Sequence, residues 1–147
     1  MHRAALAHIG SDGDYTVREV DEAGFLRGAG EIRSGDLDGA NVTMPYKGIA
    51  HAVADVVTTR AQRVGAVNTL WASAGGLHGD NTDIAGVGYA WDNANLPDDD
   101  PVVVLGAGGA SAAAQVALRG RRLFVLARRP ELAETMVRRI ESDATVI

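Results

Sequence analysis

The segment Pro101-Val102-Val103-Val104-Leu105 runs directly into Gly106-Ala107-Gly108-Gly109-Ala110-Ser111, and this junction constrains the fold more than any other stretch. A short, continuous, β-branched apolar run bounded by glycine reads as a strand rather than a helix. Because it is continuous and not alternating, it is expected to be a parallel strand buried on both faces. Glycines placed after a strand and before an alanine-rich stretch give a tight strand-to-helix turn. The helix is predicted over Ala107–Arg119. A second apolar strand follows at Leu123–Ala127, then a helix over Pro130–Ile140 with proline at its first position, then the start of a third strand at Thr145–Ile147. From about residue 101 the chain therefore reads β-α-β-α-β, the first half of a Rossmann (doubly wound parallel) sheet.

The same turn carries a chemical implication. In the pattern G-x-G-x-x-[G/A], Gly106 permits the sharp turn and Gly108 lets a pyrophosphate approach the backbone. The N–H groups that open the helix receive its negative charge, so Gly106, Ala107, Gly108, Gly109 and Ala110 are candidate cofactor-binding residues. Ser111 takes the third position, where a small residue suits helix–strand packing. Glycines also serve ligand-free βα turns, but strand, glycines and helix in register favour a nucleotide. An NAD site usually places an acid about 20 residues beyond the first glycine. Here the second strand ends in Ala127-Arg128-Arg129-Pro130, and Glu131 comes only after the helix has begun. Two guanidiniums suit a 2′-phosphate, so Arg128 and Arg129 predict NADP rather than NAD.

Composition narrows the classes further. With 14 Lys+Arg against 19 Asp+Glu the net charge is −5, leaving no basic surplus for nucleic acid. The chain has no cysteine, which removes disulfides, thiol nucleophiles and Cys-ligated zinc. His2, His8, His51 and His78 form no metal-ligand spacing, so no metal is expected. No apolar run approaches a membrane span, and a soluble cytoplasmic protein with no membrane partner is expected.

The first half is less regular. A helix is predicted at Arg3–Ile9, a strand at Tyr15–Val20, and a glycine-interrupted helix near Glu22–Ile32. A strand follows at Gly39–Met44, with Pro45 where a helix would start and a helical pattern from Tyr46 to Val56. Ala66–Trp71 and Gly76–Gly79 read as a hairpin-like pair and Asp83–Trp91 as a helix. Asn93–Pro101 reads as a linker. The whole is α/β, with an N-terminal lobe over residues 1–92 and the truncated Rossmann lobe over 101–147.

Three strings in the first half look chemical. Asn41-Val42-Thr43-Met44-Pro45-Tyr46-Lys47 puts two small polar side chains on one strand face and a lysine at the next helix. Gly65-Ala66-Val67-Asn68-Thr69-Leu70 sets a polar residue within an apolar strand. Gly79-Asp80-Asn81-Thr82-Asp83 delivers an acid at a helix start. Each residue also has a plain structural use, as a solvated lysine or a first-turn acid.

Together with Leu105–Ser111, these strings, in this order and spacing, resemble the shikimate dehydrogenase family. The resemblance implies NADP-dependent, reversible reduction of 3-dehydroshikimate to shikimate, on the route to aromatic amino acids. It implies Lys47 and Asp83 as the catalytic pair, and Asn41, Thr43 and Asn68 as substrate-binding residues. It gives Gly106–Ala110 the pyrophosphate, and Arg128 with Arg129 the 2′-phosphate. The small-molecule partner is shikimate or 3-dehydroshikimate; a monomer and a homodimer both stay open. Members normally begin with a strand and a serine-containing loop, and here the chain starts at Met1-His2-Arg3. Ala112 stands where a basic residue often follows the glycine loop. The resemblance thus implies a fragment, truncated at both ends and inactive alone. Two rival readings are a quinate/shikimate dehydrogenase of broader specificity and a non-catalytic ligand-sensing domain.

The chemistry asks for such a pair. Hydride transfer to a carbonyl builds negative charge on oxygen, which needs a proton donor or fixed cation within hydrogen-bond reach. A neighbouring carboxylate favours the ammonium form of a lysine.

Overall fold

In chain order the elements are α1 (His2–His8), α2 (Glu22–Ser34), β1 (Gly39–Asn41), α3 (Lys47–Val53), β2 (Val56–Val57), α4 (Thr59–Val64), β3 (Thr69–Ser73), β4 (Gly76–Asp80) and α5 (Asp83–Asn93), followed by β5 (Val102–Leu105), α6 (Gly109–Ala117), β6 (Leu123–Leu126), α7 (Pro130–Arg139) and β7 (Thr145–Val146). This computed structural model describes residues 2–97 and 99–147. Met1 and Asp98, the latter inside the predicted linker Asn93–Pro101, lie outside the described residues. The protein is α/β. A mixed sheet runs β1-β3-β4-β2, with β2 parallel to β4 and the other pairs antiparallel. A parallel sheet runs β5-β6-β7.

Local chemistry explains most boundaries. Asp21 opens α2 by accepting the Gly24 N–H at 2.7 Å, and Gly35, at φ 85°, closes it in the left-handed conformation. The three glycines inside α2 each cost about 0.5–1 kcal/mol, but Ala29 and Ile32 bury themselves against the first sheet and hold the helix. Thr58 accepts the Ala61 N–H to open α4, and Gly65, at φ 65°, ends it.

Several sequence expectations change. Tyr15–Val20 has no strand partner among the described residues, although its alternation suits a half-buried strand. β1 pairs with β3, and the Tyr15–Val20 stretch is tied in by side chains instead. Tyr15 Oη donates to Asn41 Oδ1 at 3.2 Å, Arg18 meets Glu31 at 2.5 Å, and Tyr46 Oη donates to the Val20 carbonyl at 2.9 Å. Between this stretch, α2 and β1 lies a cavity of about 600 Å³. The helix expected over Tyr46–Val56 stops at Val53, because the β-branched pair Val56–Val57 is drawn into register with His78–Gly79. The strand expected over Gly39–Met44 stops at Asn41, and Pro45 follows a cis peptide bond in a turn, not at a helix start. The ladder expected from Ala66 begins at Thr69.

In the parallel sheet, burial on both faces does not hold. Val104, Leu123 and Val125 are buried, and Leu123 and Val125 share one core with Ala112 of α6 and Ala133 and Met136 of α7. On the opposite face Leu105 is 75% exposed and its register partner Leu126 48%. Among the described residues no helix covers that face, so alternate residues of an apolar run face solvent.

The two sheets are joined by more than the chain. α5 packs along α6, and Val64 and Ala66 sit in one buried cluster with Ala112, Leu118 and Val125. Arg139 of α7 donates to the Val64 carbonyl at 2.7 Å, satisfying a carbonyl that the end of α4 leaves open.

Candidate functional site

Lys47 is the first residue of α3 and Asp83 the first of α5. A carboxylate in the first turn of a helix is favoured by the unsatisfied N–H groups there. The fold brings the two together, with Lys47 Nζ 2.6 Å from Asp83 Oδ2. Both side chains are about one quarter exposed (24% and 29%), so the pair is held firmly yet reachable from solvent.

The other oxygen of Asp83 is also taken. Asn68 Nδ2 donates to Asp83 Oδ1 at 2.8 Å and to Thr82 Oγ1 at 3.0 Å. Asn68 Oδ1 accepts from Thr82 N–H at 2.9 Å and from Thr69 Oγ1 at 3.0 Å. Asn68 is 7% exposed, and its amide is committed to orienting the acid. Asn41 extends the polar strip, its Nδ2 reaching Thr69 Oγ1 at 3.4 Å. Thr43 is exposed just beyond β1, and its carbonyl accepts the Tyr46 N–H. Its side chain is not part of the hydrogen-bonded strip. Tyr15, Thr69 and Thr82 join this network although sequence reasoning passed over them. Thr69 and Thr82 lie inside the strings that named their neighbours, whereas Tyr15 sits in a stretch that reads as an ordinary strand.

At the end of β4, Asp80 is gripped by Arg60, through Nε at 2.7 Å and through Nη2, and by the Thr58 hydroxyl at 2.6 Å. The Arg60 guanidinium, helped by Thr58 and the Asn81 N–H, holds the Asp80 carboxyl down at about 2 against the opposing effect of burial. The folded value lies below the ordinary 3.8. The ion pair therefore contributes its full stability above about pH 4 and loses it as pH falls toward 2. Arg60 is 46% exposed, so solvent screening reduces the contribution to about 1–2 kcal/mol. Denaturant titrations between pH 2 and 6 should show wild-type stability falling over this window, with a flatter profile for Asp80→Asn. Equal slopes would remove Asp80 as the titrating group.

The glycine turn comes close to the stem of Lys47. Gly106, at φ 102°, donates its N–H to Leu126 at 2.8 Å and turns the chain out of β5. Gly108 flanks α6 in an extended conformation with no side-chain cap, and the space where its Cβ would stand is open. The helix starts at Gly109, not Ala107, and ends at Ala117, not Arg119. A Cβ on Gly109 would lie 4.0 Å from Lys47 Cδ and from the Ala66 side chain. The stem of the lysine thus lies against the first turn of α6. Ala107 is half-buried and Ala110 exposed at the same turn. Arg128 and Arg129 follow β6, the register neighbour of β5, and so stand at the same sheet end as the glycines. Both are exposed, and neither guanidinium has a protein partner among the described residues. Among the described residues no three His, Cys, Asp or Glu side chains gather as a metal site, and no helix is long and apolar enough to cross a membrane.

Comparison with known proteins gives a consistent result. A family profile described as the shikimate dehydrogenase substrate binding domain matches residues 1–70. A shikimate dehydrogenase (NADP(+)) of Mesorhizobium japonicum is 42% identical over 128 residues, covering 82% of this chain and 44% of that protein. One from Salinibacter ruber is 47% identical over 140 residues, covering 91% of this chain and 49% of the relative. The chain thus spans less than half the length of these relatives. Among solved structures, shikimate 5-dehydrogenase from Thermus thermophilus, in complex with NADP(H) and shikimate, superimposes with a TM-score of 0.87 at 36% identity. That match covers 98% of this chain and 56% of the other.

Proposed function

We propose, for a chain that belongs to the shikimate dehydrogenase family, that it acts in the NADP-dependent, reversible reduction of 3-dehydroshikimate to shikimate. Residues 1–92 would form the substrate-binding part and residues 101–147 the NADP-binding part. A cytoplasmic setting belongs to the same proposal and is consistent with a cysteine-free sequence.

The observation that carries the reading is the Lys47–Asp83 pair at 2.6 Å with its lysine stem against Gly109. Lys47 is the one lysine in the sequence, among thirteen arginines. A guanidinium keeps its proton in proteins, whereas a compact ammonium can give one up. The residue type at position 47 therefore suits proton transfer at Nζ and not merely charge.

In this proposal Lys47 Nζ delivers a proton to the oxygen that becomes a hydroxyl in reduction and takes one in oxidation. Asp83 holds Nζ in place and accepts a hydrogen bond from a neighbouring substrate hydroxyl. Asn41, exposed in the polar strip, and Thr43, exposed in the turn beyond β1, contact the ring, and Asn68 orients Asp83. An uncapped glycine turn and two unpartnered guanidiniums at one sheet end fit a phosphorylated dinucleotide. NADPH would supply the hydride when bound; the chain's own Gly106–Ala110 backbone and Arg128 and Arg129 would hold its phosphates.

The test is a chimera in which this chain replaces the matching 140-residue segment of the Salinibacter ruber relative. NADP-linked oxidation of shikimate, faster than that of quinate, is the expected result. A folded chimera that turns over neither substrate would overturn the proposal.

A further inference from the structure

Asn81 is fully buried, and its side-chain amide and its N–H are all hydrogen-bonded. Its Oδ1 accepts the Asp83 N–H at 3.0 Å, its Nδ2 donates to the Ala66 carbonyl at 3.0 Å, and its own N–H donates to Asp80 Oδ1 at 2.7 Å. The next residue along the chain from Ala66, Val67, donates its N–H to the Lys47 carbonyl at 2.9 Å. One side chain therefore links the backbone of Asp83 directly, and that of Lys47 through two residues, to a common point.

Two buried asparagines receive the N–H groups that open α5: Asn68 Oδ1 takes that of Thr82 at 2.9 Å and Asn81 Oδ1 that of Asp83 at 3.0 Å. Thr82 is already helical at φ −83° and ψ −10°, and its side chain makes no cap bond. The first N–H groups of a helix have no partner within it, so the direction in which α5 leaves β4 depends on what receives them. For the Asp83 N–H the receiver is Asn81, itself anchored to the Arg60–Asp80–Thr58 cluster. Hydrogen bonds thus tie the backbones of both charged partners together, which restrains Asp83 from swinging away from Nζ.

We infer that Asn81 is a positioning residue for the Lys47–Asp83 pair, acting on the Asp83 backbone and not on any ligand. The inference rests on the proposed function only in calling that pair the reacting one, and its test needs neither turnover nor nucleotide.

Because Lys47 is the sole lysine, acetic anhydride modifies one side-chain amine in this chain, readily separated by peptide mass spectrometry from the α-amino group. Loss of the Asn81 bonds in Asn81→Ser should loosen the pair and speed acetylation of native Lys47 by roughly tenfold, about the worth of one net hydrogen bond. Asn81→Asp keeps an acceptor for the Asp83 N–H and should fall between wild type and Asn81→Ser. Leu77→Ala, a core truncation that touches neither partner, should leave the rate unchanged despite its cost in stability. An unchanged rate in Asn81→Ser, or equal acceleration in Leu77→Ala, overturns the inference. If the Asn81 variants do not fold, hydrogen exchange on the wild-type chain decides. An Asp83 amide protected as well as that of Val67 supports the inference, and one exchanging as fast as a free first-turn amide overturns it.

Discussion

Lys47→Ala in the Salinibacter chimera is expected to lower kcat for shikimate oxidation by about 10²–10⁴, the usual contribution of a positioned acid or base. The reason lies in the geometry of Nζ. It stands 2.6 Å from Asp83 Oδ2, one quarter exposed, in a position where a substrate oxygen can reach it. Truncation to alanine removes both the proton and the fixed charge, while Asn41 and Thr43, the proposed ring contacts, would remain. KM should therefore change much less than kcat. Asp83→Asn keeps the shape and the contact with Asn68 while removing the charge that fixes the ammonium. It should also cut kcat, with the fold and nucleotide affinity unchanged. The comparison that decides is the loss in kcat against the change in KM for both variants. A Lys47→Ala protein with near-normal kcat and a raised KM would make Lys47 a binding residue and end the mechanism.

Replacing Arg128 and Arg129 together by alanine should weaken NADP binding by about 2–4 kcal/mol, taking about 1.5–3 for each charged hydrogen bond and allowing for overlap. That corresponds to a loss of roughly 30- to 700-fold, at about 1.4 kcal/mol per factor of ten. Neither guanidinium is committed to a protein carboxylate among the described residues, so neither has an internal partner to leave behind. NAD, which lacks the 2′-phosphate, should bind as before. Calorimetric titration with each dinucleotide separates the outcomes. Equal losses for both would mean that the arginines act on something the two cofactors share.

The second half of the fold was readable because its signals are local. Val102–Leu105 and Leu123–Leu126 announce themselves as apolar runs, and Gly106 and Pro130 mark the turns that follow. What the runs could not tell is whether each face has a cover, and Leu105 and Leu126 are exposed as a result. The first half was harder. α4 has six residues with only Ala61 and Val64 buried, too little periodicity to read as a helix. Tyr15–Val20 alternates like a strand, but a strand exists only where another edge accepts it. Lys47 and Asp83 are 36 residues apart, and no spacing rule joins them. They became visible through the strings around them and the family those strings resemble. Asn81 was inside one of those strings, but its role depends on reaching back 15 residues to Ala66, which no local pattern encodes.

Val64 and Ala66 end and follow α4, a helix that packs against β4, yet they help to complete the buried cluster around Val125, together with Ile84, Val87 and Trp91 of α5. The hydrophobic seam between the two sheets is therefore a shared core and not a contact between finished bodies. Pulling the sheets apart would strip this shared cluster of cover, so opening of one sheet is coupled to the other. Free energy gained by binding at one sheet is then spread over both. A ligand seated beside Asp83 would then raise the cost of opening β5 and β6, and a nucleotide at Gly108, if bound as proposed, would do the same for β3 and β4.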